Sequence, residues 1–191
     1  MDKEQAEDKS QLLEYLATDS SREVADMATA FIGNNENRFE DVLHFATTHP
    51  YPINMRAARV AEFSTRINPE FARKRLPFIV NHLSTTTNDG VKRGFLKIVE
   101  AFVPHHVDDD VLGLVIDICF NKIITPGEAI AVKWYSIQIL QKIVKAIPEL
   151  EQEFIATLDD QQDKNTANIN RMVKQILDQH ASGKKRKSKR P

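Results

Sequence analysis

Apolar residues recur at intervals of three and four along most of the chain, and alternation with the two-residue period of a strand is short and scarce. The pattern predicts an all-α protein. Helices are expected at 21–33 and 36–47, 53–67 and 69–84, 89–103 and 105–120, 127–147 and 149–159, with a last helix at about 165–180. A short capping helix is expected at Ser10 to Ala17, in a polar segment that covers residues 1–20. Ser20, followed three residues later by Glu23, has the capping-box arrangement for the first pair. Pro77 falls inside an expected helix, where it must kink the helix or mark a later start.

The interruptions are as regular as the helices. Glycine is rare, 6 of 191 residues, and the breaks fall at Asn34-Asn35, Asn68-Pro69, Val103-Pro104 and Ile147-Pro148. The first three are about 35 residues apart and the last follows after 44, a spacing that points to stacked helix pairs. A shift of 35 brings Val60, Ala61, Phe63 and Ile67 onto Phe95, Leu96, Ile98 and Phe102, and Leu76, Ile79, Val80 and Leu83 onto Val111, Leu114, Val115 and Ile118. Shifted back by 35, the first set meets Ala25, Ala28 and Ile32 at Val60, Phe63 and Ile67. A shift of 44 carries Phe95, Leu96, Val99 and Val103 onto Ile139, Leu140, Ile143 and Ile147. Each unit is therefore an amphipathic helix, a turn that usually holds proline, and a second helix.

With those matches in place, the stretch from about 21 to 160 resembles HEAT/armadillo-like repeats, and "NMRAARVAEF", "GVKRGFLKIV" and "AVKWYSIQIL" look like their first helices. The resemblance implies an α-solenoid of about four helix pairs plus terminal helices, spanning 21–182. It implies a scaffold or adaptor rather than a reaction. The aspartate that usually follows the turn between helices is not evident. HEAT-like DNA glycosylases share this architecture, so nucleic-acid binding, with a link to DNA repair, stands as the alternative.

Composition adds three limits. The start of the chain is acidic and polar, and no apolar run approaches the roughly 18 residues that span a bilayer, so a cytoplasmic protein with no membrane partner is expected. The single cysteine, Cys119, lies in the apolar run "VLGLVIDICF" and reads as a core thiol. Trp134, with apolar neighbours wrapping widely around its helix, reads as core as well.

The net charge of −1 conceals segregation. Residues 1–55 carry net −7, 56–97 net +6, 98–183 net −6 and 184–191 net +6. Local fields, not the total, select partners. Arg56, Arg59, Arg66, Arg73, Lys74, Arg75, Arg93 and Lys97 fall in two successive repeats and form the candidate surface for an acidic protein partner, with nucleic-acid phosphate as the alternative. The tail 183–191, with Lys184, Lys185, Arg186, Lys187, Lys189 and Arg190, is expected to be disordered. It offers electrostatic contact, or nuclear import in a cell with a nucleus.

The chain carries one stretch with the composition of a reactive centre, "PHHVDDD" from Pro104 to Asp110. Proline at a first helical position, followed by acids at the positive helix end, explains it without chemistry. "PEFARK" and "PELEQE" repeat the arrangement at equivalent places. His105 and His106 are adjacent, so their side chains point about 100° apart rather than converging on a metal. No phosphate loop or nucleophile motif is present; "NDGVKRG" lacks the spacing and the preceding strand. No metal, cofactor or catalytic residue is expected, and the reading is a non-catalytic binding module.

Overall fold

The computed structural model describes residues 3–187. Helices follow one another as α1 (Lys3–Thr18), α2 (Arg22–Ile32), α3 (Glu36–Thr48), α4 (Ile53–Ile67), α5 (Pro69–Lys74), α6 (Leu76–Thr85), α7 (Asp89–Phe102) and α8 (Asp109–Ile124). α9 (Ile130–Ala146), a 3₁₀ turn at Pro148–Leu150, α10 (Glu151–Asp160) and α11 (Ala167–Lys187) complete the chain, and no strand occurs among the described residues. The expected all-α architecture of paired helices is the one observed. The contacts divide the chain into two compact units, Met1–Leu114 and Val115–Pro191.

In the first unit α4 is central, packing on α2, α3 and α7, while α1 packs on α2 and α3 and α6 packs on α7. The α4 face is built of small residues, with Ala57, Ala58 and Ala61 all 0% exposed, so neighbouring backbones come close. Facing it, α7 buries Val91, Gly94, Phe95, Leu96, Ile98, Val99 and Phe102. The 35-residue shift thus pairs buried positions: Val60 with Phe95, Ala61 with Leu96, Phe63 with Ile98. Three pairs differ: Ile67 is 59% exposed where its equivalent Phe102 is 5%, and Leu76 and Ile79 are buried where Val111 and Leu114 are only partly so. Ile67 closes α4 at the turn, and the chain leaves there before another element covers it.

The second unit is organised on α9, which contacts α10 and α11, and α10 contacts α11 in turn. α9 buries Val132, Ser136, Ile137, Ile139, Leu140 and Ile143, opposed by Phe154 and Leu158 of α10 and by Ile169, Val173 and Ile176 of α11. Trp134 is only half-buried, contrary to its expected place in the core, and Ile130 on the same helix is 51% exposed. An apolar wrap wider than the contacted faces leaves some of its residues at the surface.

Cys119 is fully buried, and burial pushes its thiol up to about 12. Thiolate is the reactive form, so the native protein should resist iodoacetamide at about pH 8 and react stoichiometrically once unfolded in denaturant. Mass spectrometry of both samples checks this; rapid native alkylation would contradict a core thiol.

Local starts and stops explain most helix ends and correct several expectations. The cap of α2 is Ser21, one residue later than the expected Ser20. Its hydroxyl accepts from the Val24 N–H at 3.1 Å, while the Asp19 carboxylate accepts from the Ser21 N–H at 2.6 Å. Asn35 and Asn88 cap α3 and α7 through the same kind of bond. Pro77 marks a later start, standing in the first turn of α6 after Arg75 separates α5 from α6.

Pro69 opens α5 and Pro148 opens the 3₁₀ turn, as the comparison of proline sites anticipates. Pro104 does not open α8. It lies in a turn closed by the His106 N–H donating to Phe102 O at 3.0 Å, and α8 begins at Asp109. Leu112 N–H donates to Asp108 O at 2.8 Å, with Asp109 and Asp110 in the first turn. The helix starts where carboxylates meet its positive end, five residues past the proline.

The N-terminal helix is longer than the expected Ser10 to Ala17. Leu12 and Leu16 anchor it, at 0% and 1% exposure, and its polar first half is held by α3. Arg38 makes a bidentate bond to Asp8 at 2.7 and 2.8 Å, and Lys9 lies 3.7 Å from Asp41. At the other end α11 runs on through Lys187, and residues 188–191 of the tail lie outside the described residues. Helix-forming lysines and arginines after Gly183 continue the backbone pattern.

His82, on α6, sets its ring edge against Phe95 with centroids 5.8 Å apart. Burial pushes its imidazole below the ordinary value of 6.5. The unfolded chain therefore takes up the proton first, so this contribution to stability is intact above that ordinary value and is lost as pH falls below it. Urea midpoints at about pH 7.5 and about pH 5.5 should differ less for His82→Leu than for the natural chain. Equal pH sensitivity in the two would contradict this role.

Candidate functional site

The eight cationic residues singled out in the sequence separate into two groups by what they touch. Arg73, Lys74 and Arg75, around α5, are matched one to one with carboxylates. Arg73 binds Glu70 at 2.8 Å, Lys74 binds Glu36 at 2.9 Å, and Arg75 pairs with Glu40. The Arg73 guanidinium holds the Glu70 carboxyl below its usual range. Two of these three bonds tie the end of α5 and the residue after it back to α3, so the charges are spent within the fold and the local field is close to neutral.

The second group lies on α4 and α7 and retains excess charge. Arg56 donates to the Ser20 hydroxyl at 2.9 Å and to the carbonyls of Leu16 and Ala17, at the end of α1, at 2.9 and 3.2 Å. Arg59 donates to Ser20 O at 2.7 Å. Cations at the carbonyl end of a helix are favourable, but no carboxylate is consumed. Arg66 and Lys97 share one carboxylate, Glu62, at 2.5 and 3.1 Å. Arg93 is exposed and has no ion-pair partner among the described residues.

Two residues of this surface escaped the charge-block reading. Arg22, counted within the acidic first block, sits with its guanidinium 4.5 Å from the Phe63 ring centre, and Arg59 and Arg66 approach the same ring at 5.2 and 5.3 Å. Phe63 itself, 8% exposed, looked like plain core. Three guanidiniums gathered around one aromatic ring form a fan held by cation–π attraction. Nothing local in sequence signals it, since the arginines come from α2 and α4.

Beside the fan a pocket of about 110 Å³ is lined by Leu16, Asp19, Ser20, Arg56, Arg59 and Arg93, among others. Bonds from Ser21 and the nearby Arg56 charge hold the Asp19 carboxyl below its usual range. Among these side chains six cations (Arg22, Arg56, Arg59, Arg66, Arg93, Lys97) stand against three carboxylates (Asp19, Asp26, Glu62), an excess of three positive charges.

A model of the HEAT repeat domain matches residues 11–186, nearly all of the chain just described. The chain belongs to the HEAT repeat family. The architecture of this HEAT repeat protein's family is a helical scaffold for protein interaction. No curated protein matches the chain, and no solved structure does.

Other chemistry that the sequence raised is placed as follows. His105 and His106 are exposed in the turn before α8. Among the described residues no group of three or more His, Cys, Asp or Glu could hold a metal ion. No described helix is long and apolar enough to cross a membrane. Lys189 and Arg190 lie outside the described residues, as do the side chains of Lys184, Lys185, Arg186 and Lys187.

Proposed function

We propose that this HEAT repeat protein is a non-catalytic binding module that engages an acidic protein partner through the surface of α2, α4 and α7. The observation that carries the reading is the uncompensated charge there: Arg93 without a carboxylate, Arg66 and Lys97 sharing Glu62, and Arg59 set on a carbonyl. Guanidiniums held in place by Phe63 lose little freedom when they bind, and arginine's planar fork suits carboxylates. Arg73, Lys74 and Arg75 drop out of the proposed interface because each already has its carboxylate.

Capture from native lysate compares three proteins: the natural chain, Arg66→Ala with Arg93→Glu, and Arg73→Ala with Lys74→Ala. Recovery of the captured partner should fall at least about tenfold for the first pair and hold for the second. Equal recovery by all three would refute the assignment. A labelled DNA duplex offered to the same proteins addresses phosphate. Binding that weakens steeply with salt and disappears with Arg66→Ala and Arg93→Glu would transfer this surface to nucleic acid.

A further inference from the structure

The second unit contains a pocket that the basic surface does not explain. About 460 Å³ in volume, it falls in the range of small-ligand sites and is lined by the end of α8, the loop after it, the start of α9, and the segment leading into α11. Its walls include Ile124, Ile130 and Ile169, and the first two are among the few large apolar side chains left open, at 52% and 51% exposure. Gly127, at φ 73° in the intervening loop, has nothing within 4 Å of where a Cβ would stand, so the mouth is open on that side.

Lys133 also lines the pocket. It is 6% exposed, yet among the described residues its ammonium has no carboxylate within salt-bridge distance. One of its three donors goes to Asn165 Oδ1 at 2.8 Å. The Asn165 side chain is itself fixed, donating to Gln161 O at 3.0 Å, and Asn170 Nδ2 donates to the Asn165 carbonyl at 3.1 Å. Among the described residues, two ammonium donors therefore lack a protein acceptor. An ammonium sheltered from water with one neutral partner is costly, and burial pushes Lys133 below the ordinary lysine range.

The nearby acids are committed elsewhere. Glu128, 4% exposed, acts on Lys133 only through its field from beyond ion-pair distance; it lies 3.6 Å from Lys122 and accepts from the Ala129 N–H at 3.0 Å. Asp160 is bound by Lys164 at 2.7 Å. Lys133 and Lys164 against Glu128 leave the ionisable lining one charge positive.

From this geometry we infer that the pocket binds an organic carboxylate with a short branched apolar body, the carboxylate on Lys133 and the apolar body against Ile124, Ile130 and Ile169. A free branched acid and the terminal leucine of a peptide share that chemistry. The site is separate from the arginine surface and does not depend on the reading given to it.

Titration of the full chain with 4-methylpentanoate, followed by amide chemical shifts, should saturate with a Kd of about 1 mM. Shifts should centre on residues 124–133 and 161–169. Acetate and inorganic phosphate should bind about tenfold more weakly for want of the apolar contact. 4-Methylpentanamide should lose a similar factor. Lys133→Met should abolish saturation while leaving the helical spectrum intact, because an apolar chain replaces a buried charge. Ile130→Asp, at an exposed rim position, tests the site without touching the core and should weaken the acid about tenfold by repulsion.

An N-acetylated peptide ending in leucine, compared with its C-terminal amide, separates the two sources. Binding of the free acid alone assigns the site to a small molecule, and carboxylate-dependent binding of the peptide assigns it to a chain terminus. Absence of saturable binding by both, amide binding equal to acid, phosphate equal to acid, or indifference to both variants would overturn the inference.

Discussion

Phe95→Ala is expected to destabilise the first unit by about 4 kcal/mol. Phe95 is 0% exposed on α7, the helix that packs on both α4 and α6. Truncation removes the ring's transfer free energy and leaves a cavity whose walls are already fixed by close-packed alanines on α4 and by the His82 ring edge. A loss of this size is a large share of the roughly 5–15 kcal/mol that stabilises a typical domain. Urea unfolding followed by circular dichroism should show the midpoint falling sharply. A change below about 1 kcal/mol would mean that the site collapses freely, or that α7 is not the centre of this core.

Gly94→Val is expected to cost about 3 kcal/mol, although glycine is the poorer helix former. A Cβ at Gly94 would stand 2.9 Å from the Ala58 carbonyl oxygen and 3.0 Å from both Ala58 C and Cβ. Two of those atoms are backbone, so no side chain can swing away; α4 and α7 must separate, and the contacts on either side loosen with them. Alanine there isolates the sign. Propensity alone favours Gly94→Ala by about 1 kcal/mol, whereas the close approach predicts a net loss. Stabilisation by Gly94→Ala would show that the helices are not held at this separation.

Both residues illustrate what one chain could disclose. The periodic apolar set identified Phe95 as buried and its repeat equivalents at Val60 and Ile139 as buried too, because a helix exposes one face per 3.6 residues and burial writes itself into that period. Gly94 carried no such signal. Its role depends on Ala58, 36 positions earlier, and only packing brings their backbones together.

The candidate surface divides along the same line. The excess of cations in residues 56–97 was visible as a count, but not which of them would be free. Arg73, Lys74 and Arg75 are neutralised by Glu70 on α5 and by Glu36 and Glu40 on α3, while Arg22, from a block that counted as acidic, joins Arg59 and Arg66 on Phe63. The stretch at Pro104 marks a similar boundary. Its acids correctly located the beginning of a helix, and the turn His106 makes with Phe102 moved that beginning to Asp109.

By itself, then, the amino-acid order determined the helical class, the repeat and most of the buried positions, since these follow from interactions within a turn or two of one helix and from the one-dimensional period of burial. The tertiary structure alone decided which charges remain available, how closely α4 and α7 approach, and that Lys133 is enclosed with no carboxylate at ion-pair distance among the described residues. Each of those depends on side chains from different helices meeting in space, and a Coulomb or van der Waals contact is set by distance between atoms, not by distance along the chain.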